Sequence, residues 1–240
     1  MRAAAVWVAF LACMVCGCQA YRDGYPQQPI PRPSAVLDFA TLYGQNCAAC
    51  HGSDGAEGPA TDLANPEYEA LVDDASLRKW IGGGMPGTQM PAFATASGGM
   101  LTDAQVNAII EGMRKRWLRA GAFEGAQPPA YGQTQLGDAK RGAGIYQARC
   151  ADCHKGGRGD ITDPVYLALV SDQALRSLTV AGSPDVGQPD WRHDSPDGKP
   201  AAPLTEQEIN DIIAYLDGLR TASPGFAGNA AEPHAGAQSR

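Results

Sequence analysis

Two five-residue stretches hold the residues best suited to chemistry: CAACH, Cys47 to His51, and CADCH, Cys150 to His154, set 103 positions apart. Two thiols three positions apart can each add across a vinyl group of one haem to form thioethers, and the adjacent His then reaches the iron from one side; this is the c-type attachment pattern. Other chemistries of these residues fit less well. A thioredoxin-like redox pair needs a βαβ pattern that neither copy shows, and zinc knuckles set their Cys pairs about 15 to 20 residues apart rather than a domain apart. The expectation is two covalently bound haem c groups, one on Cys47 and Cys50 and one on Cys150 and Cys153, with His51 and His154 as iron ligands.

The elements that must position these residues are themselves duplicated. LYGQNCAACHG (42–52) matches IYQARCADCHK (145–155), NPEYEALVDDASLRKWIGGGMPG (65–87) matches DPVYLALVSDQALRSLTVAGSPD (163–185), and LTDAQVNAIIEGM matches LTEQEINDIIAYL. The offset is 103 at the motif and 98 in the middle block, because the second copy lacks five residues after its His; it returns to 103 after five are gained beyond Trp191. Each copy reads as three helical segments joined by loops. Thr102 with Gln105, and Thr205 with Glu208, have the spacing of capping boxes. After them Val106, Ile109, Ile110 and Met113, and Ile209, Ile212, Ile213 and Leu216, fall on one helical face and read as core. The organisation expected is a signal peptide over 1–17, a Pro-rich spacer over 18–33, one domain over 34–119, a Gly/Pro/Ala/Gln-rich linker over 120–135, a second domain over 136–221 and a disordered tail over 222–240.

On these motifs both units resemble class I c-type cytochromes, over roughly 34–118 and 136–220. The resemblance implies an all-α fold of two tandem small domains, each with about three main helices around a covalent haem, and electron transfer as the role. In that family the second iron ligand is a Met in the loop before the last helix, usually followed by Pro. GMPGTQMPAF supplies Met90 with Pro91 after it and Thr88 before it, while Met85 is the competing candidate. A thioether is a soft ligand that favours reduced iron. Gly58 and Pro59 resemble the loop whose backbone carbonyl accepts a hydrogen bond from the proximal His, here His51.

The second copy departs from that pattern, since all six methionines lie at or before Met113. Aligning forward through the middle block sets Gln188 opposite Met90, with Pro189 opposite Pro91 and Trp191 opposite Phe93. Aligning backward from the last helix sets His193 there instead. Three states stay open: His193 as ligand, giving a bis-His haem; Gln188 as a weak ligand, directly or through a water; or another group such as His234 or one from a partner. In each state the two haems differ in potential, the first being higher.

The stretch MRAAAVWVAFLACMVCGCQA has an apolar run too short to span a bilayer of about 30 Å and reads as a signal peptide. Its VCGC end resembles the lipobox of bacterial lipoproteins and points to Cys18 as an acylated N-terminus. The cysteines then divide without remainder: two leave with the signal peptide, one takes the lipid, and four hold haem. A net charge of −7, or −8 once Arg2 is removed, argues against nucleic acid and against a polybasic contact with lipid. The reading is an exported electron carrier on the periplasmic side, lipid-anchored, serving redox protein partners: a quinol-oxidising complex, a terminal oxidase or reductase, or a soluble carrier. The alternative is a dihaem redox enzyme, peroxidase-like or acting on sulfur compounds or nitric oxide, that uses an open position at the second iron.

Overall fold

The computed structural model describes residues 31–133, 135–156, 159–194 and 201–220. The signal peptide, Cys18, the spacer up to residue 30 and the tail with His234 lie outside the described residues. The chain divides into two compact units, Met1–Ala35 and Val36–Arg240. In the first, Pro33–Ala35 form a single 3-10 turn closed by the Ala35 N–H on Arg32 O, at 2.8 Å.

The second unit contains both repeats. The first copy consists of α1 (Phe39–Asn46), α2 (Ala48–His51), α3 (Pro66–Leu71), α4 (Asp74–Gly83) and α5 (Asp103–Trp117); the second of α6 (Ala139–Arg149), α7 (Pro164–Leu169), α8 (Asp172–Ala181) and α9 (Glu206–Leu219). Among the described residues there is no strand, only two isolated bridges, so the fold is all-α as expected. Side chains that accept the free N–H groups of a first turn set the helix starts. Asp38, Asn65, Asp73, Asp138, Asp163 and Ser171 cap in this way, and both expected capping boxes are formed, at Thr102 with Gln105 and Thr205 with Glu208.

The middle stretch of each copy, expected as one helical segment, is two helices. Val72 and Asp73 are both extended, and the Asp73 carboxylate takes the Ser76 N–H at 2.8 Å, which begins α4 afresh. Val170 and Ser171 break the second copy at the equivalent place. Short polar residues compete with the helix for backbone N–H groups, and here that competition outweighs the apolar periodicity.

In each copy the helix before the Cys motif packs on the last helix, and a glycine allows the close approach. In the first copy a Cβ at Gly112 of α5 would lie 2.1 Å from the ring of Phe39 on α1. In the second the glycine is Gly142 of α6, where a Cβ would lie 1.9 Å from Asp211 O on α9. Phe39 and Gly142 are equivalent by the 103 offset, as are Gly112 and Tyr215, so the notch and the aromatic have changed helices between the copies. The aromatic still reaches the same partner: Phe39 lies 5.5 Å from Tyr43, and Tyr215 lies 5.4 Å from the equivalent Tyr146.

An arginine ties the last helix to the middle ones. Arg114 donates to Glu69 O, Val72 O and Asp74, and Arg220 donates to Leu167 O, Val170 O and Asp172. The acceptors are equivalent by the 98 offset, yet Arg220 aligns with Trp117 rather than Arg114. A shift of three positions stays on one face of a helix, so the tie survives although the position does not.

The stretch expected as a linker is packed. Phe123 is buried in the second copy's core, edge-on to Trp191 at 5.3 Å, while Tyr131 joins the first copy's core. Buried Arg176 takes the Ala130 and Tyr131 carbonyls and pairs with Glu206 at 2.6 Å. Composition alone had hidden two aromatic anchors among small residues.

Candidate functional site

In each copy one helical turn gathers the motif. The Cys50 and His51 N–H groups both fold back on Cys47 O, and those of Cys153 and His154 on Cys150 O, so the two thiols and the imidazole share one side of the turn. Cys47 and Cys150 are half-buried and Cys50 and Cys153 exposed, and none of the four is in a disulfide. Burial pushes the Cys47 and Cys150 thiols up to about 11, the opposite of the lowered values of redox-active pairs. Gly58 lies against the turn, where a Cβ would fall 2.2 Å from Cys50 O. The preceding tyrosine locks it from behind: Tyr43 Oη donates to Gly52 O at 2.9 Å and Tyr146 Oη to His154 O at 3.2 Å.

His51 Nδ1 is 2.8 Å from Thr61 O and His154 Nδ1 is 2.8 Å from Gly159 O. A carbonyl only accepts, so each imidazole carries a proton on Nδ1 and turns its Nε2 edge the other way. The acceptor in the first copy is Thr61, not the Gly58–Pro59 carbonyls that the resemblance had suggested; Gly58 instead supplies the close approach to the motif. Thr61 and Gly159 are 98 positions apart, so the five-residue deletion shortens the loop without displacing the carbonyl. Burial holds His51 below the ordinary imidazole value, against the Thr61 hydrogen bond, which raises it. His51 is therefore in the neutral form that a metal binds.

The loops before α5 and α9 share a backbone frame. The Met85 N–H donates to Met90 O at 3.0 Å, and the Ser183 N–H to Gln188 O at 2.9 Å. Gly84 and Gly182, both at positive φ, are too crowded for a side chain: a Cβ would meet Ala92 N, Pro91 C and Met90 O in the first copy, and the equivalent Asp190 N, Pro189 C and Gln188 O in the second. Every pair here is offset by 98, which sets Gln188 in the register of Met90. The five added residues come later, since Leu101 N–H donates to Phe93 O and the equivalent Leu204 N–H to Trp191 O.

Gln188 faces the second motif directly, with Oε1 at 2.9 Å from His154 Nε2. Its amide nitrogen lies 3.3 Å from Pro189 O, and an NH₂ there donates, so the oxygen is the atom turned towards His154. Nε2 and Oε1 are both atoms of kinds that can ligate a metal, and they face one another across this contact. His193 sits elsewhere in the added loop, its Nδ1 2.7 Å from Asp190 O and its Nε2 3.5 Å from Arg149 O. Met85 is also engaged: its sulfur accepts from Ser171 Oγ at 3.2 Å, across the contact between the copies. Met90 packs at the edge of the first core with its N–H on Thr88 Oγ1 at 3.2 Å.

Sequence reasoning missed Thr61, Gly159 and the interdomain Asn65, whose Nδ2 donates to Gly182 O at 3.1 Å. The first two act through main-chain carbonyls, which carry no residue signature. Asn65 had a signal, since it stands where the second copy has Asp163.

The thiols and the oriented imidazoles fit the covalent haem that the motifs imply. Residues 34–111 match the family described as cytochrome c oxidase, cbb3-type, subunit III, and residues 139–220 match cytochrome c. The chain belongs among the c-type cytochromes: it is a tandem of two cytochrome c domains, each with one covalently bound haem c. It is similar to the cbb3-type cytochrome c oxidase subunit FixP of Rhizobium etli, 26% identical over 211 residues covering 80% of this chain, and to the subunit CcoP of Cereibacter sphaeroides, 26% identical over 213 residues covering 77%. The match spans 63% and 62% of the length of those two relatives. No helix among the described residues is long and apolar enough to cross a membrane.

Proposed function

We propose that the protein carries single electrons between redox partner proteins, using Met90 as the second iron ligand in the first domain and Gln188 opposite His154 in the second. The observation that carries this reading is the way the domains meet. Met85, in the loop that bears Met90, accepts from Ser171, and Asn65 donates to Gly182, at the base of the loop that bears Gln188. The loop that bears Met90 and the loop that faces the second motif thus abut one interface, which supports passage of an electron from one site to the other within the chain.

When bound, the haems supply one-electron iron chemistry; the protein's own residues hold and tune them. Thr61 and Gly159 fix the two imidazoles, and Cys47, Cys50, Cys150 and Cys153 provide the thioethers. A soft thioether at the first site and a hard amide oxygen at the second set the first potential above the second. His193 is the competing ligand, and its hydrogen bonds to the Asp190 and Arg149 backbone favour Gln188.

The relatives are named as subunits of cbb3-type oxidases, which, with the acidic charge, supports a terminal oxidase of that kind as electron acceptor. A quinol-oxidising complex or a soluble carrier is the matching donor. The reading locates the chain at the periplasmic side of a membrane, held by acylated Cys18. A spectroelectrochemical titration should show two separate one-electron steps, the upper one lost or lowered in Met90→Ala. Two equal high potentials would refute the ligand assignment. Labelling with radioactive palmitate should mark the wild type and not Cys18→Ser.

A further inference from the structure

The side chain opposite His154 is loosely held. Gln188 is half-buried, and among the described residues its side chain hydrogen-bonds, apart from His154, to the carbonyl of its own neighbour Pro189 alone. Beside it opens a cavity of about 280 Å³, lined by Gln188, Gly187, Pro189, Asp190, Ala181 and, from the first domain, Glu67. The cavity gives the side chain somewhere to swing and gives a small molecule a way in. An amide oxygen is also a hard donor, poorly matched to reduced iron, whereas neutral diatomic ligands bind that state well.

While the side chain is loose, its backbone is not. Gln188 is bridged to Ser183 in both directions, at 2.9 and 3.0 Å. Gly182 is pinned in turn from the first domain by Asn65, which is 4% exposed and does two jobs. Its Oδ1 accepts from the Glu67 and Tyr68 N–H groups, at 2.8 and 3.1 Å, and caps α3; its Nδ2 crosses to Gly182 O. In the second copy Asp163 performs the capping alone, taking Val165 N–H and Tyr166 N–H at 2.7 and 3.2 Å. The amide of Asn65 is therefore surplus to capping, and its use is the contact between the domains.

We propose that the position facing His154 is an exchangeable site for a small neutral ligand of the carbon monoxide or nitric oxide class, with Gln188 as its displaceable occupant and Asn65 of the first domain as the residue that positions the loop carrying it. The proposal rests on the assignment of Gln188 opposite His154 given above. Binding exchanges one donor for another: the ligand's lone pair takes the place of Gln188 Oε1, the amide moves into the cavity, and no electron or proton is transferred.

Carbon monoxide and the reduced full-length holoprotein provide the test. One carbon monoxide should bind per chain, and Gln188→Met, which copies the first domain, should slow binding at least about tenfold, equivalent to roughly 1.4 kcal/mol, with the second haem low-spin. Asn65→Asp keeps the cap and turns the crossing bond into a repulsion between a carboxylate and the Gly182 carbonyl; it should change the binding rate severalfold while leaving the first haem's spectrum and reduction step as in wild type. Absence of carbon monoxide binding in wild type, or equal rates in wild type and Gln188→Met, overturns the site. Wild-type kinetics in Asn65→Asp overturns the positioning role. Resonance Raman spin-state marker bands of the unsubstituted protein give a second reading: a purely low-spin, ligand-inert second haem overturns the site without any variant. Failure of the electron-carrier reading would appear separately, as a haem that does not cycle reversibly in the redox titration.

Discussion

Replacing Gly142 by Ala puts one methyl group where α6 and α9 cross. That Cβ would lie 1.9 Å from Asp211 O and 2.4 Å from its carbonyl carbon, and backbone atoms have no rotamer with which to move aside. Restoring ordinary contact requires the helices to part by about 1.5 Å, enough to forfeit much of the dispersion energy across the seam. The seam includes Tyr146, Ile209, Ile212, Ile213 and Leu216. It also includes a polar clamp, in which the Asp211 carboxylate takes the Asp138 N–H at 2.7 Å and Arg141 at 2.8 and 3.0 Å. Overpacking alone costs about 1–3 kcal/mol, and stretching hydrogen bonds to a charged group adds about 1.5 kcal/mol or more, so the expected loss is about 3–5 kcal/mol. Gly144 lies two positions further along the same helix, exposed and with nothing within 4 Å of its added Cβ; there the same change should stabilise the protein by about 0.8–1 kcal/mol through helix propensity. Guanidinium unfolding of the holoprotein, followed by haem absorbance and by tryptophan emission, measures both. Equal stability of Gly142→Ala and wild type, or a larger loss for Gly144→Ala, would refute the reasoning.

Burial raises the Glu69 carboxyl to about 7 from 4.5, against the pull of Arg114. Since the folded-state value is the higher one, the group's contribution is full below pH 4.5 and lost as pH rises through 7, at about 1.4 kcal/mol for each pH unit crossed between the two values. Glu69→Gln should therefore flatten the stability profile between pH 5 and 8, as read by denaturant midpoints; an unchanged slope would count against the assignment. Arg220→Leu should cost about 2–3 kcal/mol by leaving the Leu167 and Val170 carbonyls without their charged donor, and adding Asp217→Arg, the position equivalent to Arg114, should recover part of it. Met85→Leu should leave the first haem's spectrum intact, whereas Met90→Leu should shift it and lower its reduction step. A spectrum altered by Met85→Leu would reverse the two assignments. His193→Ala should leave both haem spectra as they are, and a change at the second haem would restore His193 as its ligand.

The chemistry was local in sequence and therefore legible there. Two cysteines and a histidine within one helical turn make a site wherever that turn forms, so CAACH and CADCH announce themselves without reference to the fold. Helix starts were legible for the same reason, since a cap at Thr102 or Thr205 acts within four residues.

The choice between Gln188 and His193 was not local. The two alignments of the second copy differ by five residues, and only the hydrogen bonds of Ser183 to Gln188 and of Leu204 to Trp191, set beside their first-copy equivalents, show on which side of the distal position the insertion falls. The migrations of Arg220 along α9 and of the glycine notch from α5 to α6 were equally hidden, because packing conserves a contact in space while letting its sequence position drift. The linker showed the same limit. Composition marked residues 120–135 as a spacer, but Phe123 and Tyr131 each find a core, one in each copy, and only tertiary structure brings those cores within reach. What the sequence determined by itself was the pair of haem attachment sites and the helices that carry them; what tertiary structure decided was which side chain faces His154, because that depends on a loop whose register is set by contacts far apart in the chain.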